Sequence, residues 1–146
     1  HLSVFSWARP PWPGTVSIAG DADATAYYLE RPIPLLGWSP LGGGFLFGGG
    51  ASATYDHPAN RLRRARIRQI AADRGTSPAA VALAVLLHTR LNPSLVVASS
   101  EIAHMRANLD ALDLELTPEE LDAFRAVSRP ALPTRMEPYS SAGGVA

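Results

Sequence analysis

A helix without a polar face must be covered on every side, and residues 79–91 (AAVALAVLLHTRL) read as such a helix. Ser77 stands before it as an N-cap, and Pro78 suits the first helical position, where its missing N–H is no loss. Short apolar runs at 2–7 (LSVFSW), 35–38 (LLGW) and 95–99 (LVVAS) have the length and side chains of strands. Helical segments separate them. Asp21 to Arg31 is stopped by Pro32 and Pro34. Residues 61–74 place Leu62, Ala65, Ile67, Ile70 and Ala71 at helical spacing, with Gly75 suited to a left-handed end. Glu101 to Leu112 is a further helix. Thr117-Pro118-Glu119-Glu120 is a capping box that opens a last helix running to about Ser128.

The order is strand–helix–strand–helix–helix–strand–helix–helix. Buried strands alternating with helices imply right-handed βαβ units and a parallel sheet, hence an α/β fold. Three parallel strands leave two open edges, so the sheet needs partners or belongs to a larger one. Residues 39–60 are rich in Gly, Ala and Ser and read as one long loop, while 129–146 read as a loose C-terminal tail after a domain at 1–128.

Composition excludes several chemistries. The chain has no Cys, so disulfides, thiolate nucleophiles and cysteine zinc sites are out. All thirteen basic residues are Arg, whose pKa lies above ~12, so no lysine can act on a proton. The formal charge is zero, which gives no global field toward nucleic acid or an anionic membrane. No apolar run reaches the ~20 residues of a membrane span. A cytoplasmic location is the expectation. The chain opens on His1 without a secretory pattern, as a processed, trimmed or tagged product does. Arg61, Arg63, Arg64, Arg66 and Arg68 wrap around their helix and read as a solvated surface, with contact to nucleic-acid phosphates as the alternative. No histidine has a second ligand at i+3 or i+4, so no metal site is indicated.

Two segments carry the chemistry. In Trp38-Ser39-Pro40-Leu41-Gly42-Gly43-Gly44 a strand ends in a glycine-rich loop, where backbone N–H groups can approach phosphate and Trp38 offers a flat face; a flexible linker after a core tryptophan is the alternative. In Ala98-Ser99-Ser100-Glu101 a strand runs into a helix start, which attracts anions, with Arg106 and Asn108 further along. An N-cap serine on a solvated helix is the alternative there.

These stretches resemble the C-terminal part of the aldo-keto reductases. PLLGWSPLGGGFLFG (34–48) is similar to the family's seventh strand and cofactor loop, and IRQIAADRGTSPAAVALAVLLH (67–88) to its helix pair. LVVASSEIAHMRANLDAL (95–112) is similar to the eighth strand and adenosine-phosphate site, and LELTPEELDAF (114–124) to the closing helix. FSWARPPWPG (5–14) resembles the region of the sixth strand. The resemblance covers about residues 5–128. It implies the C-terminal portion of a (β/α)8 TIM barrel, about three parallel strands with their helices, binding NADP(H), with NAD(H) as the alternative. By position Trp38 matches the nicotinamide-stacking aromatic. Ser39, Leu41 and Gly42 match the pyrophosphate contacts. Ser99 and Ser100 match the groups around the 2′-phosphate, and Arg106 and Asn108 match the arginine and asparagine of the family's R-E-N pattern.

There are departures. Ala107 stands where the pattern has glutamate, Glu101 replaces a small polar residue, and Leu2 or Ser3 falls where the family has a polar carboxamide contact. The family's catalytic Asp, Tyr, Lys and His lie on strands this chain lacks, and a whole barrel needs about 250 residues. No catalytic residue is carried over. The implied function is carbonyl/alcohol oxidoreduction on a small-molecule carbonyl substrate, once an N-terminal half-barrel completes the site. The alternative is a stand-alone, self-associating homologue without redox activity, such as a homodimeric binding or scaffold protein or a non-redox isomerase or cyclase.

Overall fold

The computed structural model describes residues 1–8, 10–49 and 52–127. The expected tail at 129–146 lies outside them. The apolar helix is at the centre, as its composition demands. It is α4 here (Pro78–Leu87), and every residue from Ala79 to Leu86 is buried. The Ser77 Oγ accepts from the Ala80 N–H at 3.0 Å, which fixes where the helix starts. Around α4 pack α3 (Pro58–Arg74), α5 (Ile102–Leu109) with the 3₁₀ turn Asp110–Leu112, the strand β2 (Ser94–Val96) and the 3₁₀ turn Val4–Ser6.

β1 (Leu36–Trp38) pairs in parallel with β2, with Leu36 opposite Ser94, Gly37 opposite Leu95 and Trp38 opposite Val96. Gly37 faces the core because Leu2 lies on it: a Cβ there would stand 3.0 Å from two Leu2 carbons and 3.1 Å from Leu95 Cδ2. The other face of the sheet is open, with Leu36 69%, Trp38 45% and Val96 51% exposed.

The described sheet has two strands where three were expected. Residues 2–7 do not form a strand. The Ser3 Oγ accepts from the Phe5 N–H at 3.2 Å and the Ser6 Oγ from the Ser3 N–H at 3.3 Å. These local bonds close a capping box on a 3₁₀ turn and compete with ladder pairing. Leu2, Val4 and Phe5 are buried all the same. The parallel α/β character holds.

The 39–60 stretch is more ordered than its composition implies. Between the left-handed Gly44 and Gly48 the chain makes the 3₁₀ turn Phe45–Phe47, and α2 (Ser52–Tyr55) follows. α3 begins at Pro58, not 61, because the His57 ring Nδ1 accepts from the Ala59 N–H at 3.2 Å. Its inward stripe is Asn60, Arg63, Ile67, Ile70 and Ala71. Leu62 and Ala65, expected inside, face solvent, because they lie off the face that the 60–63–67–70 spacing turns inward.

The arginine run is therefore not simply solvated. Arg63 is fully buried. Burial lowers its pKa to about 10, so it remains charged at neutral pH. It donates to Asn60 Oδ1 at 2.6 Å and lies 5.7 Å from the Trp7 ring centroid. Arg64 and Arg68 donate to the carbonyls of Phe45 and Leu46 at 3.4 and 3.1 Å. Arg61 grips Asp56 through two bonds of 2.6 and 2.7 Å. The Asn60 Nδ2 donates to the carbonyls of Phe5 (2.7 Å) and Tyr55 (2.8 Å), which ties three segments together.

α3 ends at Gly75 (φ 63), where the Thr76 N–H returns to the Ala71 carbonyl at 2.9 Å. α6 (Pro118–Val127) begins at the expected capping box: Thr117 N–H to Glu120 at 2.8 Å and Glu120 N–H to Thr117 Oγ1 at 3.3 Å. Arg74 clamps Glu120 with bonds of 3.0 and 2.8 Å, which joins α3 to α6. α1 (Ala22–Leu29), capped by Asp21, buries no residue and lies on the outside. The 101–112 segment splits into α5 and its 3₁₀ turn instead of continuing as one helix. Among the described residues, no single helix is long and apolar enough to cross a membrane.

Asn60→Ala removes three short buried bonds at once and is expected to lower unfolding stability by about 3 kcal/mol, read from urea denaturation. The hydrogen bonds from Arg74 hold the Glu120 carboxyl below its ordinary value of 4.5. A depressed carboxylate pKa stabilises the fold above that value and loses its effect as pH falls. Glu120→Gln should therefore destabilise at pH 7 and have a vanishing effect in acid.

Candidate functional site

Because β1 and β2 are parallel and in register, both release the chain at the same edge of the sheet, after Trp38 and Val96. Ligands gather at that edge in α/β folds. After β1 the chain turns sharply, with Ser39 at φ 56 and Gly42, Gly43 and Gly44 at φ 66, 54 and 89. The Gly42 N–H donates to the Ser39 carbonyl and the Phe45 N–H to the Gly42 carbonyl, both at 3.0 Å. Gly42 is needed twice over: a left-handed φ disfavours a side chain, and a Cβ would stand 2.8 Å from Phe5 Cδ2. After β2 the Ser99 Oγ accepts from the Glu101 N–H at 3.1 Å, which turns the chain into α5.

Two adjoining crevices result. One of about 420 Å³ lies between the glycine loop and β2, lined by Ser39, Leu41, Gly43, Gly44, Phe47 and residues 96–98. The other, about 220 Å³, is lined by Leu41, Phe47, Ser77, Ala79, Ala98, Ser99, His104, Ala107 and Asn108. Leu41, Phe47 and Ala98 belong to both walls.

The sequence-derived residues distribute unevenly around them. Ser39, Leu41, Ser99 and Asn108 line the crevices, and Gly42 shapes the turn beside them. Ser100 and Arg106 are exposed and line neither. On a helix, position 106 lies away from the face shared by 104 and 108. Trp38 faces another neighbourhood. Its ring stacks on Trp12 (centroids 5.6 Å apart, planes at 8°) and meets the edge of the His1 ring at 4.7 Å. Tyr55 closes this aromatic cluster, its hydroxyl 2.9 Å from His1 Nε2. Burial raises the Tyr55 pKa, and a weaker opposing pull comes from its hydrogen bond with Ser39.

Sequence reasoning missed Phe47, His104 and Trp12. His104 carried a usable signal, its i, i+4 spacing to Asn108. Trp12 carried none, because a proline-rich loop does not reveal what it touches. Among the described residues no cluster of His, Cys, Asp or Glu is arranged to hold a metal.

The smaller crevice suits part of a nucleotide. Its walls are mostly apolar, as a flat heteroaromatic ring requires. Asn108 is only 7% exposed, and its amide nitrogen has a single long contact, 4.0 Å to Met105 Sδ. A buried carboxamide so weakly satisfied retains donor and acceptor capacity for a base edge. Ser99 and the start of α5 add polar groups at the mouth. The Trp38 face is different, being covered on one side by Trp12. The walls of the two crevices are compatible with a heteroaromatic ring beside a phosphate group.

The model of the aldo/keto reductase family matches residues 21–129. A pyridoxine 4-dehydrogenase of Escherichia coli (strain K12) is 37% identical over 68 residues, covering 47% of this chain and 24% of that protein. A 6-dehydroglucose reductase of Agrobacterium fabrum (strain C58) is 32% identical over 87 residues, 60% of this chain and 26% of the relative. The matched segments thus span about a quarter of each relative. Gly42→Ala adds a Cβ against Phe5 in a left-handed turn and is expected to cost about 2 kcal/mol of stability, measured by chemical denaturation.

Proposed function

The chain belongs to the aldo/keto reductase family, and on that premise we propose that it is the cofactor-holding part of a carbonyl/alcohol oxidoreductase that uses NADP(H). The family generally uses NAD(P)H. The crevice pair at the carboxyl ends of β1 and β2 carries this reading, because it gathers Ser39, Leu41, Ser99 and Asn108 where a dinucleotide can extend from adenosine to pyrophosphate. Asn108 reads the base, Leu41 and Phe47 cover it, and the glycine turn admits the phosphates. NADP(H), when bound, supplies the hydride. Proton delivery to a carbonyl needs an acid that this chain does not offer, since it has no lysine to lower a tyrosine pKa. A completing N-terminal half-barrel brings that acid and the pocket for a small-molecule carbonyl substrate. The names of both relatives denote alcohol or carbonyl conversion on small polar molecules, which supports that substrate class.

A second reading rests on the open sheet face of Leu36, Trp38 and Val96. It is a stand-alone homologue that self-associates and binds without redox turnover. Titration of NADPH fluorescence against the 146-residue chain tests the first reading. Saturable binding is expected, and Asn108→Ala should weaken it about tenfold, the worth of a buried hydrogen bond. Binding that never saturates removes the cofactor reading. Carbonyl reduction by the chain alone would remove the need for a completing half. Light scattering that shows a stable monomer removes the self-associating reading.

A further inference from the structure

We propose that Trp12 is a lid on Trp38, so that a flat heteroaromatic ring reaches the end of β1 only when Trp12 swings aside on its Pro–Gly turn. The proposal rests on the nucleotide-binding reading above and adds the step that limits binding of its second ring.

Trp38 closes β1, and its backbone is fixed by the pairing with Val96. Its ring is half exposed at the edge where the strand ends, one residue before Ser39 of the larger crevice. An aromatic face at such an edge takes a flat ring by stacking. Here the stacking partner is Trp12. The two planes are 8° from parallel and the centroids 5.6 Å apart, so the planes stand at most 5.6 Å from each other. A ring between them needs about 7 Å, two contacts of ~3.5 Å. No ring slips into this stack, and one indole has to yield the place.

Trp12 is the one free to yield. The Thr15 N–H donates to the Trp12 carbonyl at 3.2 Å, which closes an exposed turn with Pro13 and Gly14 (φ 74) at its centre. A Cβ on Gly14 would meet nothing within 4 Å, so the tip of the turn packs on nothing. A crevice of about 460 Å³, lined by residues 10–15 and Thr54, lies against the turn and gives the indole room to rotate. His1, by contrast, is anchored. It stands edge-on to both indoles, 5.8 Å from Trp12 and 4.7 Å from Trp38, and is held by a 2.9 Å bond to the buried Tyr55 hydroxyl. Affinity for a ring on Trp38 is therefore reduced by the fraction of molecules in which Trp12 covers it. Trp12 lines neither crevice at the glycine loop and α5, so the other end of a dinucleotide is insensitive to it.

The test uses the two halves of a dinucleotide, nicotinamide mononucleotide and adenosine 5′-monophosphate, titrated calorimetrically into the 146-residue chain. Trp12→Ala should bind nicotinamide mononucleotide about fivefold more tightly, the scale of one aromatic stack, and adenosine monophosphate unchanged. Trp12→Phe, with a smaller ring, should fall between. In chain labelled with 5-fluorotryptophan, the Trp12 fluorine resonance, assigned by its loss in Trp12→Ala, should gain the solvent isotope shift of an exposed indole as nicotinamide mononucleotide saturates. Trp12 sits on an exposed turn, so both variants are expected to fold, as circular dichroism can verify. Weaker or equal binding of nicotinamide mononucleotide by Trp12→Ala overturns the lid, as does a Trp12 resonance that stays shielded at saturation or an equal tightening of adenosine monophosphate. Adenosine monophosphate binding while nicotinamide mononucleotide binds neither the chain nor Trp12→Ala overturns this inference alone. Absence of binding by both ligands overturns the nucleotide reading and this one with it.

Discussion

Complete burial of α4 is the constraint on which the rest depends. From Ala79 to Leu86 the helix offers no polar side chain to water, and each larger side chain buried there contributes roughly 1.5–3 kcal/mol. A helix of this kind cannot lie on a surface. α3 and α5 therefore flank it, β2 lies against it, and the N-terminal residues Leu2, Val4 and Phe5 are pulled inside even without a strand to carry them. With α3 and α5 held on α4, the loops that precede them are held too, and those loops form the crevices.

Holding the glycine loop takes polar work from α3. Its turns close on the Ser39, Gly42, Gly44 and Phe45 carbonyls, and side chains from the helix add to these bonds: Arg64 to Phe45 and Arg68 to Leu46, with Asn60 bridging Phe5 and Tyr55. The run of arginines that reads as a solvated surface is thereby divided: Arg63 is buried, Arg64 and Arg68 bond the loop, and Arg61 pairs with Asp56 at the surface. The turn with three successive left-handed glycines is thus tied to α3 by this chain's own side chains. It also separates the two halves of the site. The crevices are built from this chain's helices and strand ends, while Trp38 faces a sheet surface still open at Leu36 and Val96. Trp12 and His1 cover part of it.

Much was legible from local pattern. Helix starts at Ser77 and Thr117, the stop at Gly75 and the strand before Ser39 each depend on interactions within a few residues, and all stand as read. Readings that depended on orientation were less secure. Leu62 and Ala65 share helical spacing with each other but not with Ile67, and which face turns inward is set by what α3 packs against. A serine pair three residues apart turned an apparent strand at 2–7 into a 3₁₀ turn, because side-chain bonds to nearby N–H groups need no partner strand. Arg106 carried a recognisable motif position, but the direction of its side chain is a property of the docked helix.

By itself, then, the sequence determined the apolar helix, the alternation that yields a parallel α/β arrangement, the glycine turn at Gly42 and the absence of any lysine or cysteine chemistry. These are matters of composition and short-range geometry. The tertiary structure alone decided that Arg63 is inside, that Trp38 stacks on Trp12 and that His104, not Arg106, shares a wall with Ser99 and Asn108. The physical reason is common to all three: which side of an element meets a ligand is fixed by the rotation of that element on its neighbours, and that rotation is set by contacts between residues far apart in the chain.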